Sequence, residues 1–137
     1  MCGLTGSLEF EPATPAETLA RQVKAMADTL HHRGPDSDGQ WLDAKAGIAL
    51  GFRRLAIIDL SEHGAQPMAS HDGRYVIVYN GEVYNFPEMR AELTAQGHEF
   101  NGHSDTEVIL AAIVEWGLEA AVKRFVGMFA IALWDRR

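Results

Sequence analysis

The sequence has a single cysteine, no long apolar run and fewer basic than acidic side chains. One cysteine among 137 residues excludes an intramolecular disulfide and cannot supply a zinc site by itself. No run of about 18 apolar residues occurs, and the N-terminus lacks the basic and apolar segments of a signal peptide. With 12 basic and 19 acidic residues the formal net charge is −7, which disfavours nucleic acid and anionic membranes as partners. These absences predict a cytoplasmic protein.

The remaining composition is typical of a globular domain. Hydrophobic residues make up 47% of the chain and charged residues 23%, so the sequence is neither disordered nor fibrous. At roughly 150 residues per domain, a chain of this length is one domain or slightly less. We find no internal repeat, low-complexity tract or linker, which also favours a single domain.

Apolar runs and capping patterns predict the order of strands and helices. Strands are predicted at 2–8, 48–60, 74–79 and 127–134, with 82–84 returning as the partner of 74–79. Helices are predicted after capping boxes that begin at Thr14 and Ser104, after Asn85, and around 120–125. Close backbone approaches are expected at Gly3 and Gly6. Strands grouped early and late with helices between them favour an α+β fold with antiparallel sheets.

Cys2 combines a nucleophile and a base once Met1 is removed, and a small second residue permits that removal. The thiol would then lie beside a free α-amino group, whose ordinary pKa of about 7.7–8.0 suits it to accept the thiol proton. The alternative is a small apolar residue at the start of a strand. The cysteine alone does not decide between the two.

Asn80 and Gly81 also allow two interpretations. Between apolar runs, Asn-Gly is the favoured two-residue hairpin turn, because both residues tolerate positive φ. Alternatively, the Asn80 amide and a neighbouring backbone N–H form an oxyanion hole, in which one donor contributes about 3 kcal/mol. The density of amides and tyrosines from Tyr79 to Asn85 exceeds what a turn requires.

Three charged residues are candidates for binding the two ends of a free amino acid. Arg54 lies inside an apolar run and needs a carboxylate, either from the protein or from a ligand. Asp105 follows an N-cap serine, where an acid complements the helix dipole, or it binds an ammonium group with help from Glu82. Added to Cys2 and an oxyanion pair, these groups suit attack on the side-chain amide of glutamine.

Metal and nucleotide chemistry find little support in the sequence. The six histidines are scattered, and the adjacent pair His31 and His32 points in diverging directions, so no metal site is predicted. No phosphate-binding glycine loop of the P-loop or dinucleotide type occurs. We therefore expect no cofactor in this chain, and any ATP chemistry outside it.

Several short motifs spread from end to end carry a family resemblance. They are MCG at 1–3, HRGPDS at 32–37 with Gly39, RLAIIDL at 54–60, QPM at 66–68, YNGEVYN at 79–85, GHSDTE at 102–107 and GMFA at 127–130. In these motifs the chain resembles the glutaminase domain of glutamine-hydrolysing asparagine synthetases. That domain is a class II glutamine amidotransferase of the N-terminal nucleophile hydrolase superfamily.

The resemblance implies a four-layer αββα sandwich of antiparallel sheets, incomplete at the C-terminus, and a cysteine mechanism. Cys2 would be the nucleophile on the first strand, and Asn80 with Gly81 the oxyanion hole. The Cys2 thiolate would attack the glutamine side-chain amide and release ammonia, and hydrolysis of the thioester would give glutamate.

The resemblance also implies how glutamine is bound. Arg54 would hold the α-carboxylate, and Glu82 with Asp105 would receive the α-ammonium. The backbone at 55–58, which includes Leu55, Ile57 and Ile58, would help shape the pocket. The arginine of the family motif directly precedes its leucine, so the match falls on Arg54 and not on Arg53.

The same resemblance implies a larger protein around residues 1–137. The chain stops before the rest of the family's glutaminase domain and before its synthetase domain, where ATP and Mg²⁺ would activate aspartate or a related carboxylate. The expected partners are glutamine and that synthetase domain, and a homodimer is one alternative for the oligomeric state. The competing interpretation is a catalytically silent domain that binds glutamine or mediates assembly.

Overall fold

The computed structural model describes residues 2–57 and 61–137, which form two units, each built on a three-stranded antiparallel sheet. The first unit is Met1–Ala56 and the second Ile57–Arg137. Helices pack on each sheet, so the α+β class with antiparallel sheets is confirmed. No helix in the described ranges has the length and apolarity needed to cross a bilayer.

The sheet of the first unit has the order β1-β3-β2, with β3 in the centre. Its elements are β1 (Gly3–Leu8), α1 (Ala16–Asp28), β2 (Ser37–Asp43) and β3 (Ile48–Arg54). Helix α1 lies on this sheet because Leu19 and Val23 are buried against Ala49. The predicted close approaches are confirmed: a Cβ at Gly3 would lie 2.9 Å from the Leu30 Cβ, and one at Gly6 would lie 2.8 Å from the Ala49 oxygen.

Two predictions for the first unit were wrong. Thr14 does not cap α1; its hydroxyl donates to the Glu9 carboxylate at 2.5 Å, and Pro15 takes the N-cap position. The first helical hydrogen bond runs from the Leu19 N–H to the Pro15 oxygen, so α1 begins one residue later than predicted and Thr14 lies outside the cap position. The strand predicted at 48–60 ends at Arg54, because neither partner strand extends past this point.

The sheet of the second unit has the order β4-β5-β6, and its helices cover the sheet face that carries the core. Its elements are a 3₁₀ turn (Glu62–Gly64), β4 (Met68–Ala69), β5 (Tyr75–Val83), α2 (Phe86–Ala95), α3 (Asp105–Trp116), α4 (Leu118–Arg124) and β6 (Gly127–Asp135). Ile77, Leu93 and Ile109 bring β5, α2 and α3 into one buried cluster. The predicted cap of α3 is confirmed, since the Ser104 hydroxyl accepts from the Glu107 N–H.

The hairpin-turn interpretation of Asn80 and Gly81 was wrong. Both residues lie inside the continuous nine-residue strand β5, where Asn80 pairs with Ala130 and Gly81 with Phe129 of β6. Residues 82–84 are therefore not a returning partner strand. Asn-Gly between apolar residues occurs both in hairpin turns and within a strand whose partner is distant in sequence. Here that partner is β6.

Candidate active site

The thiol of Cys2 is held by the main chain of Leu55. Cys2 directly precedes β1, and Gly3 pairs with Arg53, so Cys2 lies beside the end of β3. The Leu55 N–H donates to the Cys2 Sγ at 3.3 Å, and the Leu55 oxygen lies 3.5 Å from the same sulfur as an acceptor. One peptide segment thus offers a donor to a thiolate and an acceptor to a thiol.

Arg33 contacts the main chain of Cys2. Its Nε donates to the Cys2 carbonyl oxygen at 3.1 Å. The loop that carries Arg33 is packed tightly on the end of β3, because a Cβ at Gly34 would lie 2.4 Å from the Arg53 carbonyl. Asp36 fixes the loop further, since its N–H donates to the Arg54 oxygen.

An open hollow of about 430 Å³ adjoins this arrangement. Its lining consists of His32, Arg33, Pro35 and Leu55. Two of these residues are the ones that hydrogen-bond to Cys2. A volume of this order accommodates a small polar ligand such as an amino acid.

The two arginines at the end of β3 have different surroundings. Arg53 is engaged by protein carboxylates: its guanidinium lies 2.5 Å from Asp28 and 3.8 Å from Asp38. Arg54 closes the strand, and its main chain accepts the hydrogen bond from Asp36. The neighbouring backbone is held as well, because the Asp36 carboxylate accepts the Ala56 N–H at 2.8 Å.

The predicted pocket backbone at 55–58 is described in part. Leu55 lies at the hollow, and Ile57 exposes 71% of its surface. Ile58 lies outside the described residues. Leu55 is therefore the residue of this segment whose contacts bear on the thiol.

In the second unit, Asn80 and Gly81 lie on β5 at a close approach to β6. A Cβ at Gly81 would lie 2.2 Å from the Met128 oxygen and 2.5 Å from the Phe129 Cα. No side chain fits there, so glycine is required. Asn80 is half-buried, and both Gly81 and Glu82 are exposed.

Asp105 begins α3 and is held on β5. Its Oδ2 accepts the Tyr79 hydroxyl at 2.6 Å and the Val83 N–H at 3.1 Å, and 5% of the residue is exposed. Burial, followed by the hydrogen bond to Asp105, raises the pKa of Tyr79 far above its ordinary value. Tyr79 is thus a permanent neutral donor to a buried carboxylate.

Gln66 completes this buried polar network. Its Oε1 accepts the Tyr79 N–H at 2.6 Å, and its Nε2 donates to the Thr106 hydroxyl at 3.4 Å. The network joins β5 to the first turn of α3. Buried polar groups with satisfied partners fix one arrangement of the elements that carry them.

The structure brings some of the predicted residues together within each unit. In the first unit Cys2 contacts Leu55, with Arg54 next in the chain. In the second unit Asp105 contacts the main chain of Val83, the neighbour of Glu82. Across the described ranges, no group of three or more His, Cys, Asp or Glu side chains suited to a metal ion is present.

Residues with clear contacts were missed by the sequence analysis as functional candidates. Arg33, Gln66 and Tyr79 received no role, although all three lie in the motifs at 32–37, 66–68 and 79–85. Membership of a motif was the available signal. Their partners lie 13 to 40 positions away in the chain, which no local pattern discloses.

Comparison with known proteins finds relatives whose names describe glutamine-hydrolysing asparagine synthetases. It is 45% identical over 136 residues to asparagine synthetase [glutamine-hydrolyzing] 1 of Bacillus subtilis, a match that covers 99% of this chain and 21% of the relative. Asparagine synthetase [glutamine-hydrolyzing] 3 of the same organism is 42% identical, over 100% of this chain and 22% of the relative. The chain thus spans about a fifth of the length of these relatives.

A solved structure shares the fold. Glutamine phosphoribosylpyrophosphate amidotransferase from B. subtilis, complexed with ADP and GMP, superposes with a TM-score of 0.56 and 22% identity over 68% of this chain and 23% of that chain. The likeness to this amidotransferase bears out the predicted α+β fold with antiparallel sheets. A family model described as a glutamine amidotransferase domain matches residues 1–137. The chain therefore belongs to the glutamine amidotransferase domain family.

Proposed function

We propose that this chain hydrolyses glutamine to glutamate and ammonia through a thioester on Cys2. The observation that carries the proposal is the position of the Cys2 thiol, held by the Leu55 main chain beside the hollow that Leu55 and Arg33 line. A lone cysteine held by a backbone N–H and flanked by a ligand-sized hollow suits nucleophilic chemistry better than it suits a core position.

The proposed reaction uses the mature N-terminus as the base. The free α-amine of Cys2 takes the thiol proton, and the thiolate attacks the side-chain amide carbon of glutamine. The Asn80 amide and the Gly81 N–H stabilise the oxyanion. Collapse of the intermediate breaks the C–N bond, and the protonated amine returns its proton to the leaving ammonia. Water, deprotonated by the same amine, then cleaves the thioester to glutamate.

The substrate's charged ends are assigned by complementarity. We propose that Arg54 holds the α-carboxylate, because a planar guanidinium binds a carboxylate through two hydrogen bonds and Arg54 is the arginine that directly precedes Leu55, as in the family motif. Asp105 and Glu82 receive the α-ammonium. A buried carboxylate at a helix N-terminus attracts a cation strongly because little water screens it. The backbone of Leu55, Ile57 and Ile58 shapes the pocket wall.

The relatives extend well beyond this chain, and their names suggest where the ammonia goes. We propose that residues 1–137 are part of the glutaminase domain of a longer cytoplasmic protein. In that protein the ammonia passes to an ATP- and Mg²⁺-dependent synthetase domain that amidates aspartate or a related carboxylate. Homodimer formation, and the lack of nucleic-acid and membrane partners, stay predictions.

The test compares wild type with Cys2→Ala in the protein that carries this chain. Glutamate release is measured in parallel with glutamine binding by calorimetry. The proposal predicts turnover in the wild type and binding without turnover in the variant. Binding without turnover in both proteins would contradict the proposal and favour a catalytically silent glutamine-binding domain.

A further inference from the structure

Tyr79 is the buried donor that holds Asp105. The tyrosine is 3% exposed, and its hydroxyl lies 2.6 Å from the Asp105 Oδ2. This bond joins β5 to the first turn of α3, as does the hydrogen bond from the Val83 N–H to the same oxygen. A hydrogen bond of this length to an ionised carboxylate is short and strong.

The geometry of the Asp105 carboxylate depends on this bond. Two donors among the described residues, the Tyr79 hydroxyl and the Val83 N–H, approach Oδ2, and together they define the rotation of the carboxylate plane. With the Val83 donor alone, the plane can turn about a single bond. The Tyr79 hydroxyl therefore sets the direction in which the other carboxylate oxygen points.

Tyr79 is itself fixed at the main chain. Its N–H donates to the Gln66 Oε1 at 2.6 Å, and Gln66 in turn reaches Thr106, the residue after Asp105. The ring is packed in the core beside Ile77 and Val83. The hydroxyl thus has a well-defined position from which to hold the carboxylate.

We propose that Tyr79 is a positioning residue for recognition of the substrate's α-amine, acting through Asp105. The inference rests on the proposed function, in which Asp105 receives the α-ammonium of glutamine. It adds a residue that never touches the substrate but decides how well an amino acid is distinguished from its desamino analogue.

The test uses two substrates that differ only in the amine. Glutaramate is glutamine without the α-amine, and both release ammonia on hydrolysis. The readout is amine discrimination, defined as the kcat/KM for glutamine divided by that for glutaramate. This ratio is independent of the fraction of folded enzyme, so a loss of stability does not change it.

Tyr79→Phe should lower amine discrimination about tenfold, the effect of one hydrogen bond to a charged group. The loss should appear in KM for glutamine, with kcat/KM for glutaramate unchanged. Tyr84→Phe is the matched control, because the same hydroxyl is removed from a half-exposed tyrosine on the neighbouring segment, and the ratio should stay at the wild-type value.

Equal losses for both substrates in Tyr79→Phe would overturn the proposal and leave Tyr79 with a structural role. If the phenylalanine variant does not fold, fluorotyrosines placed at 79 keep the ring and strengthen donation stepwise. The ratio should then change stepwise, and a constant ratio overturns the proposal. Two other results would count against the proposed function itself. They are full amine discrimination in Asp105→Asn and continued ammonia release in Cys2→Ala.

Discussion

Cys2 is fixed by two residues that are distant in sequence. Leu55 holds its sulfur, and Arg33 holds its carbonyl oxygen. The residue type and its place at the chain start left two interpretations open, and the family resemblance led to the proposal of a nucleophile. The two partners were not predictable in the same way, because they lie 53 and 31 positions away and contact Cys2 only once β1 and β3 have paired.

Replacing Arg33 by alanine should lower glutaminase activity without unfolding the protein. The variant loses the donor to the Cys2 carbonyl, so the terminal residue is held less firmly against Leu55. A charged donor of this kind contributes about 1.5–3 kcal/mol, which corresponds to a tenfold or larger loss of kcat/KM. Steady-state kinetics measure the effect, and a thermal melt checks folding.

Arg21→Ala on the exposed surface of α1 is the control for Arg33→Ala, since it removes the same side chain away from Cys2. If both variants kept wild-type kcat/KM, the clamp on the Cys2 carbonyl would have no catalytic role.

Asp105 illustrates the limit of reasoning from residue types. The sequence placed it correctly in the first turn of a helix and proposed an ammonium partner. It gave no sign that a tyrosine 26 positions earlier would hold the carboxylate. Tyr79 lies in a motif dense in tyrosines and amides. The motif does not show which face of β5 carries the Tyr79 side chain, whereas the structure places it in the core that α3 covers.

At the scale of elements, capping patterns gave mixed results. Two capping boxes were predicted, and the one at Ser104 is confirmed. The one at Thr14 is wrong, because the first helical hydrogen bond of α1 ends on the Pro15 oxygen, one residue later than predicted, and Thr14 bonds to the Glu9 carboxylate. A local motif identifies a cap only where the helix begins at the residue that the motif implies.

Ser104→Ala should destabilise the second unit by about 1 kcal/mol, the typical contribution of an N-cap hydroxyl. The variant leaves the Glu107 N–H without its side-chain acceptor at the start of α3. Urea unfolding gives the free energy change. Thr94→Ala at an exposed position of α2 is the control and should not destabilise the fold; equal destabilisation of the two variants would argue against the cap.

Gly81→Ala should destabilise the β5–β6 pair strongly. A methyl group there meets main-chain atoms of Met128 and Phe129, which cannot rotate away, so the strands must separate. Gly97→Ala is the comparison, because its φ is +97° but no atom lies within 4 Å of the added Cβ. It should cost only the roughly 1–2 kcal/mol of left-handed backbone.

Chemical denaturation ranks these two glycine variants. A smaller loss in Gly81→Ala than in Gly97→Ala would mean that β5 and β6 are not held at the described register. The prediction concerns stability alone, since Gly81 is also a proposed oxyanion donor.

At the scale of the whole chain, stability should fall in acid. Several carboxylates have a pKa held below the ordinary value by hydrogen bonds: Glu9 from Thr14, Asp28 from Lys24, Asp72 from Ser70, Glu92 from Arg124 and Asp135 from Arg74. A lowered folded-state pKa stabilises the fold above the unfolded values, 3.8 for Asp and 4.5 for Glu. This stabilisation is lost as the pH falls through the folded-state values.

We therefore expect the urea midpoint to hold between neutral pH and the unfolded pKa values and to decline below them. The decline should be gradual, because each of these groups is at least partly exposed to solvent, which screens its interactions. Asp135→Asn removes the carboxylate paired with Arg74 and should flatten the acid limb. An unchanged acid limb in this variant would mean that the pair contributes nothing to stability.

The fold class, most strands and helices and the family could be predicted from the sequence. The family resemblance predicted more than the local patterns did. The patterns of apolar residues predicted an α+β fold with antiparallel sheets but not the pairing of β5 with β6. The hairpin assigned to Asn80 and Gly81 shows why: a strand partner 50 residues away leaves no local trace.

The most direct test of the account is glutamate release by the protein with a free Cys2 amine and by the same protein with an uncleaved N-terminal extension. Both forms keep the thiol, which alkylation by iodoacetamide confirms, and proteolytic removal of the extension serves as the control. The account predicts that the extension lowers the rate by about 10²–10⁴-fold, the contribution of a positioned base, and that its removal restores activity. Equal rates with and without the extension would contradict the account.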